Sequence, residues 1–166
     1  MTLASDLLDQ AQHLALVDPG RPRQASLRRA VSAAYYSLFH LIVDDAVRYL
    51  VPTASLRAAV ARTFEHKDVK SAARTISEIQ RGSAPWLASH VRLPISVALA
   101  SVCDTLVELH DQRHAADYDL SATFTRGVVN SKLAMAVSAH GNWSRERRSH
   151  NARVFMLAAG GLLVKR

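Results

Sequence analysis

The sequence concentrates reactive side chains near the end of one predicted helix, over residues 110–118. The segment contains His110, Arg113, His114, Asp117 and Tyr118. Arginine presents a planar guanidinium group that holds phosphate through paired hydrogen bonds, and histidine accepts or donates protons near neutral pH. Together, these residue types could bind a phosphodiester and move protons around it.

Periodicity predicts that Arg113 and Asp117 point towards the core. The apolar stripe of this helix is formed by Leu99, Val102, Leu106 and Leu109. At about 100° per residue, Arg113 falls at the centre of the stripe and Asp117 lies about 40° to one side. Two interpretations follow: a structural i,i+4 salt bridge between partly buried charges, or a phosphate-binding arginine that faces a cleft.

A second long helix, predicted over residues 24–50, carries similar polar residues. Its inner stripe contains Val31, Tyr35, Phe39 and Ile42, with Arg28 and Ser32 extending it and with Tyr36 and His40 to one side. Arg28, Ser32 and Tyr36 are therefore candidate binding residues. The alternatives are a solvated Arg28 near the helix start and core tyrosines whose hydroxyls are satisfied.

The sequence gives little support for a metal ion or a cofactor. His110 and His114 have the i,i+4 spacing of a helical metal pair, with Asp117 one turn further on. A firm third ligand is not evident, and His66 could contribute only if the fold brought it close. The chain also has no Gly-x-Ser-x-Gly elbow and no Gly-rich phosphate loop. We predict neither a metal nor a cofactor.

The elements that must position these residues are predicted to be helices only. Periodicity and Pro/Gly punctuation place helices over residues 3–16, 24–50, 54–64, 67–80, 94–118, 124–140 and 145–159, with a break at Gly141-Asn142. No segment has the alternation expected of a strand. We expect one all-α domain over residues 1–166, a bundle of about five to seven helices around the two long central ones.

Composition restricts the class of protein and of partner. The formal net charge of +7, mostly from arginine, favours a polyanion such as nucleic acid, although an Ala- and Arg-rich chain is also typical of a GC-rich genome. The single cysteine, Cys103, suits a reducing compartment. With no signal-peptide pattern and no apolar run of about 20 residues, we predict a cytoplasmic protein without a membrane segment.

Two segments resemble one known family. The sequence Leu-Arg-Arg-Ala-Val-Ser-Ala-Ala-Tyr-Tyr-Ser-Leu-Phe-His over residues 27–40 resembles the Ser/Arg-x-x-Tyr-Tyr-x-x-Phe-His helix of HEPN domains. The sequence Gln-Arg-His-Ala-Ala-Asp-Tyr-Asp over residues 112–119 resembles the Arg-x-x-Ala-Asp-Tyr segment of one branch of that superfamily. Phe64-Glu65-His66 is also similar to a feature of short HEPN proteins. Order and separation both fit a stand-alone HEPN protein.

The resemblance implies a function, with one departure from the family pattern. HEPN proteins are small helical bundles, commonly dimeric, found in prokaryotic toxin–antitoxin and defence systems. Many are metal-independent endoribonucleases with an Arg-x(4–6)-His motif, but here the positions that follow Arg113 at this spacing are Tyr118, Asp119 and Leu120. Arg113 would hold the phosphate, while His114, His110 or His66 would transfer protons and Asp117 and Tyr118 would position them.

Two other functions fit the same residues. Because the motif histidine is missing, the domain could be a HEPN module that binds RNA, a nucleotide or a partner protein without chemistry. It could also be an interaction bundle in which Arg113 and Asp117 form only an internal bridge. The resemblance further implies a homodimer and an operon partner such as a nucleotidyltransferase.

Overall fold

The computed structural model describes residues 2–83 and 85–163, and this part of the chain is built from helices and loops. Its α-helices are α1 Leu3–Leu16, α2 Gln24–Leu50, α3 Arg57–Ala61, α4 His66–Gln80, α5 Val97–Tyr118, α6 Arg126–Glu146 and α7 His150–Ala159, with short 3₁₀ turns at Ala54–Leu56 and Ala88–His90. The predicted all-α bundle is confirmed. Residues 1, 84 and 164–166 of the predicted domain lie outside the described residues.

The two long helices α2 and α5 are the centre of the bundle. Helix α2 packs against α1, α5 and α6, and α5 also contacts α4 and α6. The stripes predicted for both helices are buried; Tyr35 and Leu109, for example, are 1% and 0% exposed. Across the described residues, we find no helix with the length and apolar character needed to cross a membrane.

Helix α5 begins three residues later than the sequence predicts. Ser96 is the N-cap, and its hydroxyl oxygen accepts a hydrogen bond from the Leu99 amide at 3.1 Å. Such a cap satisfies one of the amides that the first turn leaves without a partner. Pro94 therefore lies before the cap rather than in the first turn. The C-terminal end, which carries Arg113, ends at Tyr118 as predicted.

The break predicted at Gly141-Asn142 is wrong, because α6 continues through both residues to Glu146. Trp143 explains the difference: its side chain is fully buried, and its indole N–H donates to Oδ2 of Asp45 in α2 at 2.8 Å. Glycine in a helix interior costs about 1 kcal/mol, less than burial of a tryptophan contributes. Tertiary packing therefore overrides the local preference.

Candidate active site

Arg113 is held in place by an acidic partner on its own helix and a hydroxyl from α2. Its side chain is 14% exposed, and Nε lies 2.8 Å from Oδ2 of Asp117 as an ion pair whose N–H is not aligned for a hydrogen bond. Ser32 in turn donates to Oδ1 of Asp117 at 2.6 Å. Because the carboxylate is held from both sides, it restricts the orientation of the Arg113 guanidinium.

Two tyrosine rings flank the guanidinium group. Nη2 of Arg113 donates to the hydroxyl oxygen of Tyr36. The guanidinium carbon lies 5.2 Å from the ring centre of Tyr36 and 5.5 Å from that of Tyr118, within the range of cation–π attraction. Nη1 forms no hydrogen bond with a described residue, so its two protons can be donated to an anion.

His66 joins this group from a distant part of the sequence. It is the first residue of α4, and its Nδ1 atom lies 2.8 Å from the hydroxyl oxygen of Tyr35 in α2. Its ring centre lies 4.2 Å from that of Phe39 and 5.6 Å from that of Tyr36. Tyr36 therefore contacts Arg113 through its hydroxyl and His66 through its ring.

The Tyr35 hydroxyl determines which nitrogen of neutral His66 carries the proton. Tyr35 is 1% exposed, and within the described residues Nδ1 of His66 is its only hydrogen-bond partner. Burial raises the pKa of Tyr35 well above its ordinary value. A buried phenol O–H needs an acceptor, so we assign Tyr35 as donor to Nδ1, with the imidazole proton on Nε2. When His66 is protonated, its Nδ1–H donates to Tyr35 instead, and the phenol O–H then has no acceptor among the described residues.

Two further histidines complete what we call the histidine cluster, His40, His66 and His110. The ring centre of His110 lies 5.5 Å from that of Tyr35, edge to face. The ring centre of His66 also lies 5.5 Å from that of Tyr35. His40 stacks on Tyr36 with the ring centres 6.2 Å apart. Three imidazoles thus surround two adjacent tyrosines beside Arg113.

The surroundings of the histidine cluster favour its uncharged form. Burial lowers the pKa of His66, and the positive charge of Arg113 lowers it further. Burial also lowers the pKa of His40. For His110, burial lowers the pKa while a hydrogen bond to Asp111 opposes the shift. Neutral imidazoles beside a permanently charged guanidinium can accept protons near pH 7.

Acidification between pH 7.5 and pH 5.5 is expected to reduce the stability of the fold. The folded state holds the pKa values of the histidine cluster below 6.5, so the unfolded chain binds more protons in this window. The contribution to stability is therefore complete well above pH 6.5 and is lost as the pH falls through 6.5 and below. The measurement is the urea midpoint at each pH. His110→Gln should weaken the dependence, whereas replacing exposed His13 with glutamine should not; a midpoint that rises on acidification would contradict this linkage.

Arg28 lies at the same end of α5 but uses its donors on the backbone. Nη1 donates to the carbonyl oxygen of Ala116 at 2.9 Å, and Nη2 donates to those of Asp119 at 2.9 Å and Ala122. The Ala116 carbonyl is one of those that the C-terminal end of a helix leaves without a partner, while the other two belong to the C-cap and to the loop that follows α5. The geometry is that of a helix cap, and the binding role predicted for Arg28 stays a prediction.

Replacing Arg28 with alanine is expected to lower the free energy of unfolding by about 2–3 kcal/mol, because hydrogen bonds from a charged donor to partly buried carbonyls are lost. Urea denaturation measures the change. Arg29→Ala, on the neighbouring exposed residue, is the matched control and should cost less than about 0.5 kcal/mol. Unchanged stability with weakened RNA binding would instead support the binding role.

His114 and Tyr118 lie on the outer side of the site. Both are exposed, Tyr118 by 64%, and their ring centres are 5.1 Å apart. Tyr118 reaches Arg113 through its ring, but among the described residues Tyr118 is the only aromatic contact of His114. The fold therefore brings His66 and His110 into the cluster around Tyr35 and leaves His114 outside it.

Sequence reasoning missed the contribution of Tyr35 and His40. Tyr35 was expected to be a core aromatic, and it is buried, yet its hydroxyl also holds His66. His40 was placed beside Tyr36 without a role. The i,i+4 spacing of Tyr36 and His40 puts both on one helix face, and this was the signal that could have identified His40.

The pair of histidines with metal-like spacing is not assembled into a metal site. His110 packs against Tyr35, whereas His114 is exposed beside Tyr118. Over residues 2–83 and 85–163, no group of three or more His, Cys, Asp or Glu side chains is arranged to hold a metal ion. The groups that do converge are a guanidinium, three imidazoles and two phenols.

Comparisons with known proteins assign neither a family nor a function to this chain. No protein-family model matches the chain. No curated protein matches it, and neither does any solved structure. A function for the site therefore has to rest on its own chemistry and on the family resemblance of its two helices.

Proposed function

We propose that this protein is a HEPN-like endoribonuclease that cleaves RNA without a metal ion. The observation that carries the proposal is the convergence of Arg113 with His66 and His110 around Tyr35 and Tyr36. An anion-binding guanidinium beside two imidazoles with lowered pKa values provides the groups that phosphodiester transfer needs.

Arg113 is assigned to the scissile phosphate. Its Nη2 donates to Tyr36 and its Nε lies beside the Asp117 carboxylate, while Nη1 is available to a phosphate oxygen. These two partners fix the guanidinium before substrate binds, and preorganised charge stabilises a transition state more than mobile charge does. Asp117 and Tyr36 are therefore positioning residues in this mechanism.

The two histidines are assigned opposite proton transfers. Neutral His110 takes the proton from the ribose 2′-hydroxyl as its oxygen attacks phosphorus. The bond from phosphorus to the 5′ oxygen breaks, and that oxygen receives a proton from Nε2 of protonated His66. An anionic phosphate beside the ring favours the protonated form, in which Nδ1–H donates to Tyr35. The products are a 2′,3′-cyclic phosphate and a 5′-hydroxyl, so atoms and charge balance.

Incubating the purified protein with single-stranded RNA in EDTA tests this proposal. We expect cleavage with products that end in 2′,3′-cyclic phosphate, identified by mass spectrometry. RNA binding without any product would instead favour the non-catalytic binding module. An absence of both binding and cleavage would favour the interaction bundle in which Arg113 and Asp117 form only an internal bridge.

The biological setting proposed here rests on the family resemblance and on composition. A toxin–antitoxin or defence role, a homodimer and a nucleotidyltransferase or other operon partner are expected from the resemblance. A cytoplasmic location is expected from the single cysteine, Cys103, which is buried as a free thiol. The identity of the neighbouring gene would distinguish a toxin–antitoxin pair from a defence effector.

A further inference from the structure

A second basic feature lies far from Arg113, where the end of α2 meets the turn between α6 and α7. Beside Asp45 and Met156, a small pocket of about 220 Å³ is lined by four arginines and one tyrosine, which are Arg48, Tyr49, Arg147, Arg148 and Arg153. All five are exposed. We call this set the arginine patch.

The arginine patch carries excess positive charge after its internal ion pairs are counted. Arg48 pairs with Asp44 at 2.8 Å, and Arg147 pairs with Asp45 at 3.0 Å. Arg148 and Arg153 have no carboxylate partner within the described part of the chain. The positive end of α7, which starts next to Arg148 and Ser149, adds to the same field.

Tyr49 distinguishes this patch from a merely charged surface. Its side chain is 47% exposed, and the guanidinium carbon of Arg153 lies 5.1 Å from its ring centre. Unpaired bases stack on aromatic rings and on arginine planes, while nearby positive charge follows the backbone. An acidic peptide would use the charges but not the stacking face, so the chemistry favours single-stranded nucleic acid.

We propose that the arginine patch is a second contact surface for single-stranded RNA, which adds affinity but no chemistry. The choice of RNA as ligand rests on the proposed function. Tyr36 and Tyr49 are thirteen residues apart on α2, which is about 20 Å along the axis, and they lie on different faces of the helix. A dinucleotide cannot reach both places, whereas a long RNA can.

The test compares Arg148→Ala/Arg153→Ala with the control Arg21→Ala/Arg74→Ala. The control pair removes the same charge from exposed arginines elsewhere. Binding of a 20-nucleotide RNA is measured by fluorescence anisotropy, and we expect the patch variant to bind about tenfold more weakly than the control. The slope of log binding constant against log salt concentration should become shallower by about 1.4. Tyr49→Ala should weaken binding with an unchanged slope. Cleavage of a dinucleotide substrate should be the same in every variant.

The outcomes separate this inference from the proposed nuclease. Equal RNA binding by the patch and control variants would overturn the inference, whether or not the protein cleaves RNA. Equal weakening for RNA and for polyglutamate would also overturn it, because the patch would then be a general anion site. Weakened RNA binding by a protein that cleaves nothing would support the patch and reject the nuclease.

Discussion

Replacing Arg113 with alanine is expected to reduce RNA cleavage by about 1,000-fold, the scale observed when a positive group that stabilises transition-state charge is removed. The guanidinium is a permanent positive charge beside the histidine cluster, and its Nη1 protons are available to a phosphate. Single-turnover cleavage of a labelled RNA in EDTA measures the loss. Cleavage that continues undiminished in Arg113→Ala would remove Arg113 from the mechanism.

Arg113→Lys separates a catalytic role from a structural one. Removing the whole side chain leaves Asp117 partly buried without its cation, which could itself destabilise the fold. Lysine keeps a positive charge near Asp117 but lacks the planar fork that pairs with phosphate oxygens. We expect Arg113→Lys to remain folded by circular dichroism and still lose about 100-fold in cleavage. Arg74→Ala, on an exposed residue of α4, should cleave normally.

Removing either histidine of the proposed pair is expected to reduce cleavage by about 100-fold to 10,000-fold. Each of the two variants should also change its own limb of the pH–rate profile. His110 must be neutral to act as base, so the rate of the native protein should fall on the acidic side. His66 must be protonated to act as acid, so the rate should also fall on the basic side. His110→Ala should flatten the acidic limb and His66→Ala the basic limb.

The matched control for this pair is His114, and Tyr35 tests how His66 is positioned. His114→Ala should retain cleavage within about threefold, because His114 lies outside the histidine cluster. Tyr35→Phe removes only the hydroxyl that holds Nδ1 of His66. It should therefore shift the pH at which the cleavage rate falls on the basic side. Nitrogen-15 NMR of histidine side chains should show the neutral His66 proton on Nε2 in the native protein. A profile in which His66→Ala flattens the acidic limb would exchange the two roles.

The positions of these groups explain how the proposed site could work without the Arg-x(4–6)-His motif of the HEPN ribonucleases that its two helices resemble. The chain has no histidine at the expected spacing after Arg113, but α4 begins with His66 directly beside Tyr35 and Tyr36. A proton-transfer group is therefore available from another helix. What the mechanism needs is a distance and an orientation, and neither depends on how close the residues are in sequence.

The helical fold and the orientation of single helices follow from the sequence alone. A helix has a fixed period, so Leu99 through Leu109 define a buried face, and Arg113 and Asp117 must extend it whatever the helix packs against. The same reasoning places Ser32 and Tyr35 on the inner face of α2. These local regularities also explain why the predicted bounds of α1 and α2 agree with the structure.

Only the tertiary structure decided which of these inward residues meet. The Ser32–Asp117 hydrogen bond joins residues 85 positions apart, and the Tyr35–His66 contact joins residues 31 positions apart. Helical periodicity relates residues within one helix and carries no information on the crossing of two. The same limit applies to α6, where burial of Trp143 keeps Gly141 helical. The sequence therefore determined which side chains face inward, and packing between helices determined that His66, and not His114, contacts the two tyrosines beside Arg113.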